Sequence, residues 1–378
     1  MDFTLTDDQE MIRASAESFL AAASPSAAVR RAMATPAGYD PELWQEVAGR
    51  LGWCATTIAV DHGGLGLGMV EQVLLMEQMG RRLLCAPYFA TSCLAVPALQ
   101  EAGDAAAQAR YLPEIAAGRL TASLAFAIRG IEWIERGPFG HARRAGSDFI
   151  LTGRYAHVPD GATAGLLLLT AIVDDEPAPS LFAVDGELPG LERQALRTLD
   201  ATRRVAEVRV EGIRVPASAR IGTVDSTAGG LERTSALAAI ALAAEQLGCA
   251  QQCLDLTLAY VGERRQFGRT IASFQAVKHR CAQLMVDIEA TRSAVLGAAC
   301  VASTAASTED LVLEAACAKA LASDTCFRCA QEAIQLHGGV GFTWEYDPHL
   351  YFKRAQASGH WLGSSARLRE RVAAHLLD

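Results

Sequence analysis

The hydrophobic pattern of the chain changes its period twice. Up to about residue 120, apolar positions recur at helical spacing, with a capped start at residues 6–8 and a proline at the helix entry in 41–44. From about residue 121 the pattern shortens to β-rich runs such as 124–128 and 166–172, which Gly, Asp and Pro separate. From about residue 226 long helical stretches return.

This order of elements predicts an α+β protein with three domains. They are an N-terminal all-α domain over 1–120, a middle antiparallel β-barrel or sandwich domain over 121–225, and a C-terminal four-helix bundle over 226–378. The predicted bundle helices cover 232–264, 274–304 and 311–336, and a last helix ends near Leu377.

Composition and charge narrow the function classes. The 378 residues are 51% hydrophobic with a formal net charge of -9, which excludes a disordered chain and argues against a general nucleic-acid binder. The start MDFTLTDDQE lacks the basic and apolar regions of a signal peptide, and no apolar run reaches the roughly 20 residues that span a bilayer. We therefore expect a cytoplasmic protein without membrane insertion, whose ten cysteines are reduced thiols.

Two short motifs carry weak chemical signals. Glycines at 63, 64, 66 and 68 precede a predicted helix, but Met69 stands where a dinucleotide fingerprint needs its third glycine. A turn or packing role is therefore favoured over phosphate binding. Cys326 and Cys329 form a single CxxC pair inside a predicted helix, which favours buried thiols over a metal or redox site.

Three stretches of the C-terminal half contain residue types that bind phosphate and adenosine. The arginines of 264–269 suit bidentate pairing with a pyrophosphate, and the Phe and Gln of 273–279 suit contacts with an adenosine. The glycines of 337–341 free the backbone for close approach to an anion. Taken singly, the first and last stretches also fit a basic helix end and a glycine C-cap, and these alternatives stay open at this point.

The three sequences, R-x-Q-F-G-R, F-Q-x-x-K-H and Q-L-H-G-G-x-G-F, resemble the C-terminal half of the acyl-CoA dehydrogenase family. The resemblance continues in family order through Gly63-Gly64-Leu-Gly66 and Val215-Pro216. It implies FAD as cofactor, an acyl-CoA thioester as substrate, an electron-transfer flavoprotein-type acceptor and no metal. It also implies FAD-binding roles for Arg264, Gln266, Phe267, Phe274, Gln275, Gln335, Leu336, His337, Gly338 and Gly339.

The chain departs from this family at both positions that carry the catalytic base. In the family, a glutamate removes the C2 proton of the thioester while hydride leaves C3 for the flavin. Here Leu362 stands in the aromatic–Glu–Gly triplet, and Ala238 stands at the alternative position on the long helix. Glu232 and Glu245 lie six and seven residues from Ala238, well over one helical turn. We expect both to be surface or cap carboxylates, and the catalytic residue stays unassigned.

The β region departs from the family pattern as well. Residues 125–129 replace an aromatic-Cys-Val-Thr-Glu-type strand, and residues 157–161 replace the Trp-Ile-Thr/Ser-Asn-Gly strand that borders the flavin. Pro159 removes a backbone donor there. His157 is either a replacement ligand or acid, or a satisfied surface histidine, and the second reading is favoured.

The residues that match the family pattern and the residues that depart from it have different functions in the family. The matching stretches, at 264–269, 273–279 and 335–339, mostly bind the ADP half of a flavin in the neighbouring subunit. The departing positions, which include those of the catalytic base and of the two strands, serve a subunit's own flavin ring and substrate. We therefore predict a base-lacking subunit that completes a homologous partner's FAD site in a dimer of dimers. A looser resemblance through residues 200–203 and 353–355 points to divergent bacterial subunits of steroid side-chain degradation. A homo-oligomeric dehydrogenase with a displaced base, or another flavin oxidase chemistry, stays open.

Overall fold

The computed structural model describes residues 4–126, 140–174, 176–304 and 306–377. The element order is α, β, α, which confirms the predicted α+β fold. The N-terminal helices are α1 (Asp7–Ala23), α2 (Ser26–Ala34), α3 (Pro41–Gln45), α4 (Met69–Arg81), α5 (Val96–Glu101) and α6 (Ala105–Ala116). A π-helical turn at Glu46–Arg50 follows α3, and another at Phe89–Ala95 leads into α5.

Two helix starts follow directly from the local sequence. At α1, the Gln9 backbone nitrogen donates to Thr6 Oγ1 at 3.3 Å, and the Thr6 nitrogen donates to Gln9 Oε1 at 3.0 Å. At α3, Asp40 accepts from backbone N–H groups, and Pro41 takes the first helical position. These caps satisfy donors that a helix start leaves without partners, so both predicted entry signals are confirmed.

The described residues of the middle region form an eight-stranded mixed sheet. Its strands are β1 (Ala122–Ala125), β2 (Gly140–Ala145), β3 (Asp148–Pro159), β4 (Leu166–Val173), β5 (Pro179–Asp185), β6 (Leu191–Ala195), β7 (Val205–Val215) and β8 (Arg220–Ile221). They pair in the order β6-β7-β3-β2-β4-β5-β8, and β1 also pairs with β4. Most pairs are antiparallel, as predicted, but β1 and β2 both run parallel to β4. Residues 127–129 of the predicted first strand region lie outside the described residues.

The C-terminal region returns to helices, as predicted. They are α7 (Val224–Glu263), α8 (Gln275–Ala302), α9 (Thr308–His337), α10 (Pro348–Ser358) and α11 (Ser365–Leu377). The last predicted helix is therefore two helices, which both pack against α9. In the segment between them, Leu362 at φ +58° and Gly363 at φ +106° have positive φ, which a continuous right-handed helix does not allow.

Small residues let α7 approach its neighbours closely. Its buried central residues are mainly alanines, which explains how an apolar chain with few aromatics fills its core. At the crossing of α4 and α7, a Cβ on Gly80 would lie 2.0 Å from the Glu245 carbonyl oxygen. A Cβ on Gly248 would lie 1.9 Å from the Glu77 carbonyl oxygen. The two backbones are therefore in direct contact.

Replacing Gly248 with alanine should lower the free energy of unfolding by about 1–3 kcal/mol, because the methyl group would force α4 away from α7. Gly229→Ala is a matched control in the same helix, since its Cβ would meet no heavy atom within 4 Å. Alanine there should stabilise the helix by roughly 0.5–1 kcal/mol. Urea unfolding measures both variants, and equal stabilities would contradict a packing limit at the crossing.

Candidate functional site

An exposed hairpin closes one end of the helical bundle. The Arg264 amide donates to the Tyr260 carbonyl at 2.9 Å as α7 ends. The chain then forms a two-stranded hairpin of β9 (Arg265–Gln266) and β10 (Arg269–Thr270). Phe267 at its tip has φ +52°, which is uncommon for a residue other than glycine, and its side chain is 92% exposed. The hairpin thus presents arginines and an aromatic ring to solvent.

The start of α8 lies beside this hairpin. The Ile271 amide donates to the Arg264 carbonyl at 2.8 Å, and the Phe274 amide donates to the Ile271 carbonyl at 3.2 Å. The Arg269 guanidinium lies 4.1 Å from the centre of the Phe274 ring. Phe274 gives no side-chain cap to α8, whose first residue is Gln275. The partial positive charge of this helix start therefore adds to that of the arginines.

The glycine loop after α9 reaches the same end of the bundle. His337 stacks on the Tyr260 ring at a centroid distance of 4.3 Å, and burial lowers the pKa of its imidazole. Gly338 has φ +64°, and a Cβ on Gly338 or Gly339 would meet no heavy atom within 4 Å. Tyr260 therefore contacts both segments: its carbonyl accepts a hydrogen bond from Arg264 at the start of the hairpin, and its ring stacks on His337 before the glycine loop.

The structure brings all three predicted stretches together, and we call their shared surface the basic face. Among the predicted cofactor residues, Phe274 and Leu336 are half-buried and His337 is buried, so His337 supports the loop from behind. The others are exposed: Arg264, Gln266, Phe267, Gln275, Gln335, Gly338 and Gly339. Sequence reasoning missed Tyr260, although it lies one helical turn before Arg264 on the same side of α7.

The chemistry of the basic face fits a phosphate and a nucleobase. The arginine guanidinium groups and the uncapped start of α8 attract phosphate oxygens. Gly338 and Gly339 have no side chain and no neighbouring heavy atom on that side, which leaves room for the phosphate. Beside it, the aromatic side chains of Phe342 and Trp344 are 71% and 63% exposed. Exposed apolar groups of this kind mark surfaces that contact another molecule.

A second site, a small cavity, lies between the sheet and the bundle. Its volume is about 190 Å³, and its lining includes His157, Asp200, Arg203, Arg354 and Trp361. His157 and Trp361 each belong to a stretch in which the sequence departs from the acyl-CoA dehydrogenase pattern, at residues 157–161 and 361–363. We call this cavity the cleft.

Buried charges occupy the floor of the cleft. Arg354 Nε donates to Asp200 Oδ2 at 2.8 Å and to Thr202 Oγ1 at 3.0 Å, and its guanidinium also bonds to Glu245. Arg203 donates to the second Glu245 oxygen at 2.6 Å. Burial lowers the pKa of both guanidinium groups, and the Asp200 charge opposes that shift. The charges are therefore taken out of water and balanced against each other.

Glu245 corrects one prediction. It is only 2% exposed and bridges two arginines, so it is not the surface or cap carboxylate expected from its place on α7. Spacing along one helix did not reveal this, because Arg203 and Arg354 come from other segments of the chain. Glu232 is half-buried and pairs with Arg371 at 2.7 Å.

Aromatic rings enclose Arg203. Its guanidinium lies 4.6 Å from the centre of the Phe89 ring and 5.7 Å from the centre of the Trp361 ring. Phe89 and Trp361 also contact each other, with ring centroids 5.9 Å apart. A planar cation between aromatic faces is stabilised by cation–π attraction and fills the space between them.

The positions expected for a catalytic base carry apolar side chains packed in the core. Leu362 is 1% exposed, and Ala238 is fully buried. Of the described carboxylates, the two that bond to arginines at the cleft are Asp200 and Glu245. Both carboxylates are held in buried ion pairs with Arg354, so neither is free to take the place of the missing base.

The end of β3 at the cleft is irregular. His157 and Asp160 have φ of +56° and +49°, and the pairing of β3 with β7 shifts register between Tyr155 and Val158. The Pro159 carbonyl accepts a hydrogen bond from Ser123 Oγ at 2.5 Å. His157 is exposed at the rim, which agrees with the favoured reading of a surface histidine. Burial raises the pKa of Asp160 to about 7.

A buried lysine lies behind the cleft. Lys319 Nζ donates to Ser323 Oγ at 2.7 Å and to the Ser358 carbonyl at 3.2 Å, and Ser358 lines the cleft. Among the described residues no carboxylate lies within ion-pair distance of it. Burial lowers its pKa from the usual 10.5 to about 7.

Lys319→Met should therefore change how stability depends on pH. In the wild type, the contribution of Lys319 to stability rises from about pH 7 to about pH 10.5, because only the unfolded chain holds the lysine proton in that range. The methionine variant lacks this gain, so its stability relative to the wild type is highest at or below pH 7 and falls toward pH 10. Buried thiols titrate in both proteins, and their effect cancels in the difference.

Urea unfolding at several pH values measures this difference. Lys278→Met on the exposed side of α8 is the control, and it should shift stability equally at every pH. A difference between wild type and Lys319→Met that stays constant from pH 7 to pH 10 would contradict a neutral lysine in the fold.

The cysteines form no bonds to each other. All ten are free, and Cys326 and Cys329 are buried thiols, as predicted. Burial raises the pKa of Cys253 and Cys329, which keeps both thiols protonated and unreactive. In the described part of the chain, no group of three or more His, Cys, Asp or Glu residues suits a metal ion, and no helix is long and apolar enough to cross a membrane.

Comparison with known proteins places both helical regions in one family. The description "Acyl-CoA dehydrogenase, N-terminal domain" matches residues 6–119, and "Acyl-CoA dehydrogenase, C-terminal domain" matches residues 232–377. Over 375 residues the chain is 34% identical to the acyl-CoA dehydrogenase IpdE2 of Mycobacterium tuberculosis, and the match covers 99% of each protein.

Two solved structures share the whole fold. A chain of the ChsE4-ChsE5 complex from Mycobacterium tuberculosis superposes with a TM-score of 0.88 at 26% identity, covering 100% of this chain and 99% of that one. A chain of the Tcur3481-Tcur3483 steroid acyl-CoA dehydrogenase, a G363A variant, gives a TM-score of 0.88 at 28% identity, covering 99% and 98%.

Proposed function

Because the chain belongs to the acyl-CoA dehydrogenase family, we propose that it is a base-lacking subunit that completes the FAD site of a homologous partner. The assembled enzyme would carry out α,β-dehydrogenation of an acyl-CoA thioester. FAD is the cofactor of the family, and when bound it accepts the hydride. In this proposal the partner supplies the carboxylate base and the pocket for the flavin ring.

The filled cleft is the observation that carries the proposal. Ligand pockets usually measure about 300–1,000 Å³, and the cleft measures about 190 Å³. Displacing the side chains that line it would cost free energy, because Glu245 pairs with both Arg203 and Arg354 and would lose one of these two cations if Arg203 moved. The cleft is therefore smaller than a usual ligand pocket, and in this proposal the flavin ring lies in the partner's pocket.

The basic face, in contrast, fits the ADP half of a dinucleotide. Arg264 can pair with a phosphate, and the start of α8 attracts the same negative charge. Gly338 and Gly339 leave open backbone on the other side of this surface. Phe267 is exposed at the hairpin tip, where its ring can contact a nucleobase. These residues would bind the ADP half of FAD at the surface of this chain, with the flavin ring lying in the partner's pocket.

The similar proteins support a mixed oligomer. Both solved neighbours named above are complexes of two different chains, and one is described as a steroid acyl-CoA dehydrogenase. We therefore infer a steroid side-chain acyl-CoA as substrate class and an electron-transfer flavoprotein-type acceptor. The exposed Phe342 and Trp344 would lie against the partner. Free thiols throughout the chain fit a reducing compartment such as the cytoplasm.

Flavin stoichiometry tests the proposal. The chain is purified alone and together with the product of an adjacent homologous gene, and bound FAD is measured by absorbance. We expect a colourless protein alone and one FAD per two chains in the complex, with bleaching on addition of acyl-CoA. A chain that is yellow alone and bleached by acyl-CoA would overturn the proposal in favour of a homo-oligomeric dehydrogenase. Oxygen consumption without another acceptor would favour an oxidase.

A further inference from the structure

The cleft keeps open space beside one charged side chain, Arg203. Its volume is about 190 Å³, and the exposed residues His157 and His360 lie at its rim, so a small molecule can enter from solvent. We propose that the cleft binds a small organic monocarboxylate, whose carboxylate group pairs with the guanidinium of Arg203. The inference goes beyond the proposed function, because it gives the cleft a ligand of its own.

Arg203 has hydrogen-bond donors that the fold does not use. Its Nη2 donates to Glu245 at 2.6 Å, and its Nε and Nη1 have no hydrogen-bond partner among the described residues. The Nε atoms of Arg204 and Arg220 also lack a partner, but they are closed off from solvent. Arg203 instead lines the cleft, and 13% of its side-chain surface is accessible. A ligand in the cleft can therefore reach its free donors.

The aromatic rings around Arg203 leave the edge of its guanidinium open. The central carbon of the guanidinium lies 4.6 Å from the centre of the Phe89 ring and 5.7 Å from the centre of the Trp361 ring. The N–H groups of a guanidinium lie in its plane and point outward, where a carboxylate can accept two parallel hydrogen bonds. Because the rings restrict the guanidinium, binding a ligand would cost little further side-chain entropy.

The other charged groups that line the cleft are already paired. Each of the three guanidinium nitrogens of Arg354 donates a hydrogen bond, and its side chain is only 2% exposed. The Asp200 carboxylate accepts from Arg354 and from the Thr202 amide. An incoming carboxylate would therefore find free donors at Arg203, while Arg354 offsets the negative charge of Asp200.

The charge balance of the buried cluster favours an additional anion. The cluster contains three arginines and three carboxyl groups, which are Arg203, Arg204, Arg354, Asp160, Asp200 and Glu245. Burial raises the pKa of Asp160 to about 7, so this carboxyl is only partly ionised at neutral pH. The arginines then exceed the ionised carboxylates, and a bound monocarboxylate would make up the difference.

The volume and the wall of the cleft limit the rest of the ligand. Val205, Ala357 and Trp361 give the cleft an apolar surface beside the Arg203 donors. At the packing density of protein interiors, about 0.74, the volume of the cleft holds roughly eight to ten non-hydrogen atoms. One small ring or short chain with a single carboxylate fits this space, whereas a second charge would be desolvated without a partner.

Calorimetric titration of the full chain with benzoate and benzamide tests the proposal. The two probes have nearly the same shape, but only benzoate carries a negative charge and two carboxylate oxygens. We expect benzoate to bind about tenfold more tightly, because hydrogen bonds from a guanidinium to a carboxylate are stronger than those to a neutral carbonyl. The chain is titrated free of flavin, which absorbance verifies, so the result does not depend on the proposed function. Equal affinities for the two probes would overturn the proposal.

Arg203→Lys tests the contact itself. Lysine keeps a cation beside Glu245, so the variant should fold, but it lacks the planar fork that pairs with a carboxylate. Benzoate affinity should fall about tenfold, and benzamide affinity should change by about threefold or less. Arg143→Lys on β2 is the matched control at an exposed position, and it should bind benzoate as the wild type does. Unchanged benzoate affinity in Arg203→Lys would contradict the proposed contact.

A cavity-filling variant locates the site. Ala357 lines the cleft from α10, so the larger side chain of Ala357→Leu should abolish benzoate binding. Ala282→Leu at an exposed position of α8 is the control and should bind benzoate normally. Thermal unfolding verifies that both variants fold cooperatively, and if Ala357→Leu does not fold, Arg203→Lys decides. Benzoate binding that survives in folded Ala357→Leu, or no saturable benzoate binding to the wild type, would overturn the proposal.

Discussion

Replacing Arg354 with methionine should lower the free energy of unfolding by about 3–5 kcal/mol. Arg354 is 2% exposed and holds Asp200 and Glu245 together at the floor of the cleft. Without it, two buried carboxylates face only the guanidinium of Arg203. An uncompensated charge in a low-dielectric interior costs far more than an exposed one, so the fold is destabilised although methionine fits the volume.

Urea unfolding at pH 7 measures this effect, with Arg119→Met as the matched control. Arg119 pairs with Glu114 at 2.7 Å, but its side chain is 61% exposed, so its loss should cost less than about 1 kcal/mol. Adding Asp200→Asn to Arg354→Met restores charge balance and should recover part of the loss. Equal losses in the Arg354 and Arg119 variants would contradict a structural role for the cluster.

The sequence was sufficient to predict the elements whose signals are local. Helical spacing and the caps at Thr6 and Asp40 depend on residues a few positions apart, so the N-terminal helices follow from the sequence. The three stretches of the basic face were recognised for the same reason, since each is a contiguous motif. That they meet at Tyr260 needed the structure, because the stacking of His337 on its ring joins α9 to α7.

The features that were missed depend on contacts between distant segments. The parallel pairing of β1 with β4 leaves no trace in strand periodicity, which is the same for both directions. The division of the last helix depends on the backbone of Leu362 and Gly363, and leucine gives no sequence signal for a left-handed conformation. Glu245 looked like a surface carboxylate because its arginine partners lie 42 and 109 positions away.

The same contacts between distant segments make the basic face and the cleft different in character. The chain keeps open, polar groups on the surface that would face a partner, and it packs apolar and paired side chains in its own cleft. Ala238 and Leu362 are buried in the hydrophobic core, so a single carboxylate introduced there would meet apolar side chains rather than a substrate. Function is therefore expected to respond to changes on the basic face rather than in the cleft.

Arg264→Ala should weaken FAD binding by the assembled complex about 10–100-fold. The reason is the loss of charge-assisted hydrogen bonds to the pyrophosphate, which contribute roughly 1.5–3 kcal/mol. Arg264 is exposed, and its backbone carbonyl and amide hold the hairpin, so the alanine variant should keep the fold and the oligomer. FAD titration of the flavin-free complex, followed by flavin fluorescence, measures the affinity, and size-exclusion chromatography verifies assembly.

Arg143→Ala is the control that separates a specific contact from a general loss of charge. Arg143 is an exposed residue of β2, away from the bundle end, and its replacement removes the same charge. FAD affinity should be unchanged in that variant, and the difference between the two should shrink at high salt, since screening weakens long-range attraction first. If the Arg264 variant assembled normally and bound FAD as tightly as the wild type, the basic face would not hold the cofactor. The filled cleft would then have to be reconciled with a flavin bound entirely within one subunit.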